Sequence, residues 1–315
     1  NWHLQDTAGG IHAESAWDES TGEGVVVAVL DTGIIPHPDM DANMLEGYDF
    51  ITDPFVSRRP TDERVPGAHD YGDWNDDASQ CRVSTSSFHG THVAGTVAEL
   101  TNNDEGMAGV AHNAQVLPVR VLGRCGGYTS DIVDAVVWAA GGDVPGVPVN
   151  ENPAEVINLS LGGSGACTAT EQDAFALARS LGSLVVIAAG NSNGDVENFS
   201  PANCDNVVRV GAARITGGRH LLRRALPPRS ARGGGEGRQR SHPARPKRGI
   251  DQEGQGRDHH REDGARRHHP RRGPGELVGR RDPLLLQDLH PRRLPDLPLR
   301  AHHPPRAVPV PPVDL

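Results

Sequence analysis

The chain has 315 residues, enough for one large domain or two small ones, and its net charge of −10 conceals two unlike pieces. Residues 1–213 carry 30 acidic side chains against 8 arginines, a net of −22, whereas residues 214–315 carry 23 basic side chains against 11 acidic, a net of +12. The second piece has no Phe, Tyr, Trp, Met, Cys or Asn, which excludes a packed core there, and no run anywhere is apolar enough for a bilayer span.

Residues 1–213 therefore read as the globular domain, and 214–315 as a disordered segment rich in Arg, Pro, His and Gly. In chain order, Ile11 to Trp17 is expected to form a short helix. Gly24 to Leu30 is a continuous β-branched run, the pattern of a strand buried on both faces, and it stops at Asp31-Thr32-Gly33. Residues 51–80 are rich in Asp, Pro and Gly and read as loop. His89 to about Leu100 reads as a helix, followed by a turn at 102–106.

Val116 to Leu122 is the next strand, and Ser130 is expected to cap a helix with apolar residues at Ile132, Val133, Val136, Val137 and Ala140. Val156 to Leu161 is a strand ending at Gly162-Gly163. Thr170 to Leu181 is an amphipathic helix stopped by Gly182, with Phe175 and, earlier, Trp138 as core residues. Leu184 to Ala189 is another buried strand, and Asn206 to Val210 begins one more. Strands alternating with helices define an α/β fold with a doubly wound, mostly parallel sheet. Ligand sites in such sheets lie at the carboxyl ends of the strands, where Asp31, Gly162-Gly163 and Asn191 all fall.

An acid, a histidine and an amide donor at those ends point to acyl-transfer chemistry. The strings Val27-Ala28-Val29-Leu30-Asp31-Thr32-Gly33, His89-Gly90-Thr91-His92-Val93-Ala94-Gly95, Ser160-Leu161-Gly162-Gly163 and Ala188-Ala189-Gly190-Asn191 resemble the subtilisin-like serine proteases, over residues 1–213. The segments Asn1-Trp2-His3-Leu4, Gly47-Tyr48-Asp49-Phe50 and Gly72-Asp73-Trp74 resemble secreted bacterial members. The resemblance implies a serine endopeptidase in which His89 is the general base, Asp31 orients it and Asn191 donates its amide to the oxyanion. It also implies two edges, Gly126-Gly127-Tyr128 and Ser160-Leu161-Gly162, that pair with an extended protein or peptide substrate.

Two rival readings of single motifs are weaker. His89 and His92 have the helical spacing of a metal pair but no third ligand is spaced for them, and His92 reads as a packed structural residue. Asp31-Thr32-Gly33 alone resembles the catalytic triplet of aspartic proteases, but a second triplet is missing. The chemistry needs no cofactor. The resemblance implies a structural calcium at Asp39, with oxygens from the turn that contains Asn103, against a solvated acidic turn as the alternative. Relatives carry an ion-binding loop at Asp53 to Asp77, from which Arg58-Arg59-Pro60 departs.

Four cysteines at 81, 125, 167 and 204 contain no Cys-x-x-Cys and favour disulfides over zinc, hence an oxidising compartment. Their three possible pairings narrow, by the resemblance, to Cys81–Cys125 and Cys167–Cys204. The chain starts at Asn1 without a methionine or a secretory signal, as a mature form or a fragment of a secreted protein would. No membrane or nucleic-acid partner is expected, and the oligomeric state is not readable; a polyanion-binding arm at 214–315 has charge but no aromatics for stacking.

The family's nucleophile lies in Gly-Thr-Ser-Met-Ala-x-Pro-His, and that string is not in the chain. After Asn191 the serines are Ser192, Ser200, Ser230 and Ser241, none preceded by Gly-Thr. The resemblance ends within a few residues of Gly211-Ala212, where the composition changes. We read the break as a frameshift in a GC-rich gene, which would leave the sheet short of its last strands and the chain without peptidase activity.

Overall fold

In the computed structural model the described residues are 2–5, 8–213 and 216, together with the backbone of 309–310. Helix α1 (Ala13–Trp17) precedes β1 (Val26–Asp31), β2 (Tyr48–Asp49), α2 (Pro54–Ser57), β3 (Val65–Pro66), α3 (His89–Ala98) and β4 (Gln115–Arg120). There follow β5 (Gly127–Tyr128), α4 (Thr129–Ala139), β6 (Val156–Leu159), β7 (Gly163–Ser164), α5 (Ala169–Ser180), β8 (Leu184–Ala188), β9 (Phe199–Ser200), β10 (Val207–Val210) and β11 (Pro309–Val310). The main sheet has the order β10-β8-β6-β1-β4-β2-β3, parallel throughout except for the β2–β3 pair.

The continuous apolar run of β1 follows from burial on both faces. Ala28 and Leu30 point into the larger core with Trp138 of α4 and Phe175 of α5, whereas Val29 points into a smaller core with Ala94 and Ala98 of α3. Helices thus cover both faces, α4 and α5 packing together on one and α3 on the other. Because β8, β6, β1 and β4 are parallel neighbours, their carboxyl ends share one edge of the sheet.

A local signal accounts for the start of α5, and two expectations elsewhere are corrected. Thr168 caps α5 through a capping box, accepting from Glu171 N at 3.2 Å while the Glu171 carboxylate accepts from Thr168 N at 2.7 Å. The expected cap at Ser130 is not there: α4 starts at Thr129, its N-cap is Tyr128, and Ser130 lies exposed inside the first turn. The 51–80 segment is less irregular than its composition implied, since Asp53 caps α2 and β3 joins the sheet edge.

The break near residue 213 coincides with the end of the continuously described chain, and most of the segment expected to be disordered lies outside the described residues. Pro309–Val310 is an exception. It forms β11, antiparallel to β5, with Pro309 opposite Tyr128 and Val310 opposite Gly127. Val208 and Val210 on edge strand β10 are 41% and 51% exposed.

Candidate active site

Asp31 is the last residue of β1 and His89 the first of α3. Gly90 lets these two elements meet: a Cβ there would lie 2.3 Å from the Gly33 carbonyl oxygen, so only glycine allows α3 to rest on the Asp31–Gly33 turn. The approach places His89 Nδ1 at 2.7 Å from Asp31 Oδ1 and 2.9 Å from Oδ2, with both side chains buried. The Thr32 N–H also donates to Asp31 Oδ1, at 2.7 Å.

The hydrogen bond to Asp31 holds the His89 pKa above its ordinary value, against burial, and Asp73 adds to the rise. Burial pushes the Asp31 carboxyl up, against the bonds from His89 and the Thr32 N–H. An acceptor at Nδ1 fixes the neutral tautomer with its proton on Nδ1, which leaves Nε2 as the basic atom. Such a histidine can take a proton from a hydroxyl placed at Nε2 and pass it on.

Asp31 is underpinned by buried charge that the sequence did not reveal. Arg120, at the end of β4 and fully buried, donates from Nε to the Thr32 carbonyl at 3.1 Å and from Nη1 to Asp49 at 2.8 Å. Arg59 donates to the same Asp49 oxygen at 2.9 Å and to the Ile51 carbonyl. Arg59, one of the residues that departs from the family pattern, is therefore a structural cation. Its neighbour Arg58 stacks 3.2 Å over the Trp74 ring. Asp53 caps α2 and accepts from the Tyr128 hydroxyl at 2.7 Å, and this bond pushes the Tyr128 pKa to about 12.

Other predicted residues distribute as follows. Asn191 lies exposed just beyond β8, after Gly190, at the same sheet edge as Asp31. Ser160, Leu161 and Gly162 follow β6 at that edge, Ser160 Oγ accepting from Asn158 Nδ2 at 3.1 Å. Gly126 precedes β5 and Gly127 opens it. Cys81 is bonded to Cys125, next to Gly126, and Cys167 to Cys204. His92 corrects the sequence reading: it is exposed, not packed.

Asp39 and Asn103 do come together. Asp39 is fully buried, and its carboxylate accepts from Asn103 Nδ2 at 2.6 Å and Met107 N at 3.0 Å. A Cβ on Gly106 would lie 1.8 Å from Asp39 Oδ2, so this turn closes tightly over the acid. Among the described residues, the nearby Glu99 Oε2 and Thr101 Oγ1 are buried without a hydrogen-bond partner. Carboxylate and hydroxyl oxygens such as those of Asp39, Glu99 and Thr101 are the hard donors calcium takes, while Asn103 turns its Nδ2 toward Asp39.

Of the four serines after Asn191, Ser192 is exposed beside it and Ser200 donates to Glu171 Oε1 at 2.8 Å, while Ser230 and Ser241 lie outside the described residues. No helix among the described residues is long and apolar enough to cross a membrane.

A doubly wound parallel sheet with a buried Asp–His pair at its carboxyl edge defines a hydrolase-like α/β protein. The model of the Subtilase family matches residues 22–257, and the chain belongs to that family. The matched range runs past 213, where the sequence motifs end. The chain is 52% identical over 219 residues to "Extracellular protease" of Xanthomonas campestris pv. campestris, covering 69% of this chain and 38% of that one. It is 48% identical over 226 residues to "Extracellular basic protease" of Dichelobacter nodosus, covering 69% and 37%. A solved protease structure from Pseudoalteromonas arctica shares 54% identity with a TM-score of 0.68, covering 70% of this chain and 66% of that one. The chain thus spans less than two fifths of the length of these two curated relatives.

Proposed function

We propose that this chain derives from a secreted serine endopeptidase acting on protein substrates, and that as written it lacks the nucleophile and does not hydrolyse peptides. The observation that carries the first part is the buried pair of His89 Nδ1 and Asp31, 2.7 Å apart at the carboxyl edge of the sheet. In the intact mechanism a serine hydroxyl at His89 Nε2 attacks the scissile carbonyl while His89 takes its proton. Asp31 holds the tautomer and stabilises the imidazolium, and the Asn191 amide donates to the oxyanion. The same His89 then protonates the leaving amine.

Substrate enters as an extended strand between β5 and the Ser160–Gly162 segment. Support comes from β11, whose backbone pairs antiparallel with β5 along this edge. Secretion is supported by the two disulfides and by the extracellular relatives. A structural calcium would be held by Asp39 and Asn103, ordering the 102–106 turn; chelation should then lower the melting temperature of the parent chain and leave that of Asp39→Asn unmoved.

The absence of a Gly-Thr-Ser string and the change of composition after 213 support a frameshift. Sequencing the gene across codons 205–225 tests it, since an unbroken frame without a nearby insertion or deletion rejects it. A peptidase assay on the chain as written and on a frame-corrected chain tests the function. We expect activity from the corrected chain alone; no activity from either would favour a non-catalytic peptide-binding relative.

A further inference from the structure

Helix α3 carries His89 on its first residue yet has no ordinary cap. Its N-cap, Phe88, is left-handed with φ 49° and offers no side-chain acceptor. The first N–H groups of a helix have no partner within it and need one elsewhere. Here the His89 N–H donates to Ser87 Oγ at 3.2 Å and the Gly90 N–H to Thr32 Oγ1 at 2.9 Å. Each hydroxyl spends its one proton on a carboxylate, Ser87 Oγ on Asp73 Oδ2 at 2.8 Å and Thr32 Oγ1 on Asp70 Oδ2 at 2.7 Å.

That arrangement orients both hydroxyls. With the proton committed to an acid, the lone pairs are left for the helix N–H groups. The acids are themselves fixed: Asp73 Oδ1 accepts from Ser87 N at 2.6 Å, Asp70 Oδ1 from Gly72 N at 2.7 Å, and Asp70 N donates to the Ile34 carbonyl at 2.9 Å. Both are buried, at 3% and 7% exposure for Asp70 and Asp73. They sit on one four-residue segment that spans the end of β1 and the start of α3, and two negative charges there also suit the helix N-terminus.

We infer that Asp73, acting through Ser87, is a positioning residue that sets His89 against Asp31. The inference rests on His89 being the base of the proposed mechanism, but its readout does not require turnover. The acidic groups that bear on the pair are Asp31 and Asp73 on His89, and Asp70 on Asp31. Loss of Asp73 should therefore move the imidazole itself.

The test is nitrogen-15 NMR of the full chain, following the low-field Nδ1 proton and the titration midpoint of His89, with His89→Gln to assign the signal. Asp73→Asn should lower the midpoint and weaken or broaden the Nδ1 proton. Ser87→Ala should perturb the Nδ1 proton with the Asp73 charge still present, and Ser87→Thr, which keeps the hydroxyl, should restore it. Parent-like Nδ1 signals in both Asp73→Asn and Ser87→Ala would overturn the inference. A lowered midpoint in Asp73→Asn with no change in Ser87→Ala would also overturn it, reducing Asp73 to a charge effect. If Asp73→Asn does not fold, the Ser87 pair decides. An inactive frame-corrected chain with these shifts intact would reject the function and keep the positioning.

Discussion

Asp31 and His89 lie buried and are bonded to each other, to the Thr32 N–H and to Ser87 Oγ, whereas Asn191 is exposed and Ser160 and Gly162 are half-buried at the same sheet edge. The first region spends side chains from four separate segments (31–32, 49–73, 87–90 and 120) on holding one imidazole. The second lies in the segments that follow β6 and β8. The difference matches the tasks of a hydrolase. A base must be fixed and partly desolvated to keep its tautomer, while a substrate edge must leave N–H and C=O groups for an incoming strand.

The contrast makes unequal demands on stability. Asp49→Ala would leave Arg59 and Arg120 buried without their shared counter-charge, at a cost of about 3–5 kcal/mol. Chemical denaturation should show this loss, and a value under about 1 kcal/mol would mean that the buried network does not hold the Asp31 region. Replacing Cys81 and Cys125 by alanine opens a closure with a sequence separation of 44 residues, and about 2–4 kcal/mol should be lost. Because Cys125 adjoins Gly126, peptide binding at β5 should weaken while the His89 Nδ1 proton persists.

The smallest effect is the pH dependence of the pair. His89 has a folded pKa above its ordinary 6.5, so it binds its proton more tightly when folded. Its contribution is complete below about pH 6.5 and is lost as pH rises through the folded value. The unfolding free energy should fall across that window, and His89→Gln should flatten the fall.

Much of the fold was legible because buried parallel strands leave continuous apolar runs, as in Val26 to Leu30, and because Asp31 and His89 sit in motifs with local meaning. What was not legible is tertiary. Asp70 and Asp73 belong to a stretch without periodicity, and nothing near them in sequence tells that Thr32 and Ser87 are their partners. Arg120 is one polar residue in an apolar strand, and its acid, Asp49, lies 71 residues away. His92 was misread because helical spacing does not say which face meets the core, and it faces water. Ser130 was misplaced as a cap because Thr129 already lies in the helix.

We propose that His89 and Asp31 are set for catalysis and that the chain holds no serine for them to activate. Intact-mass spectrometry after treatment of the purified chain with a fluorophosphonate tests it most directly. We predict an unmodified mass in the chain as written; a stoichiometric adduct on one serine that disappears in His89→Gln would contradict the account.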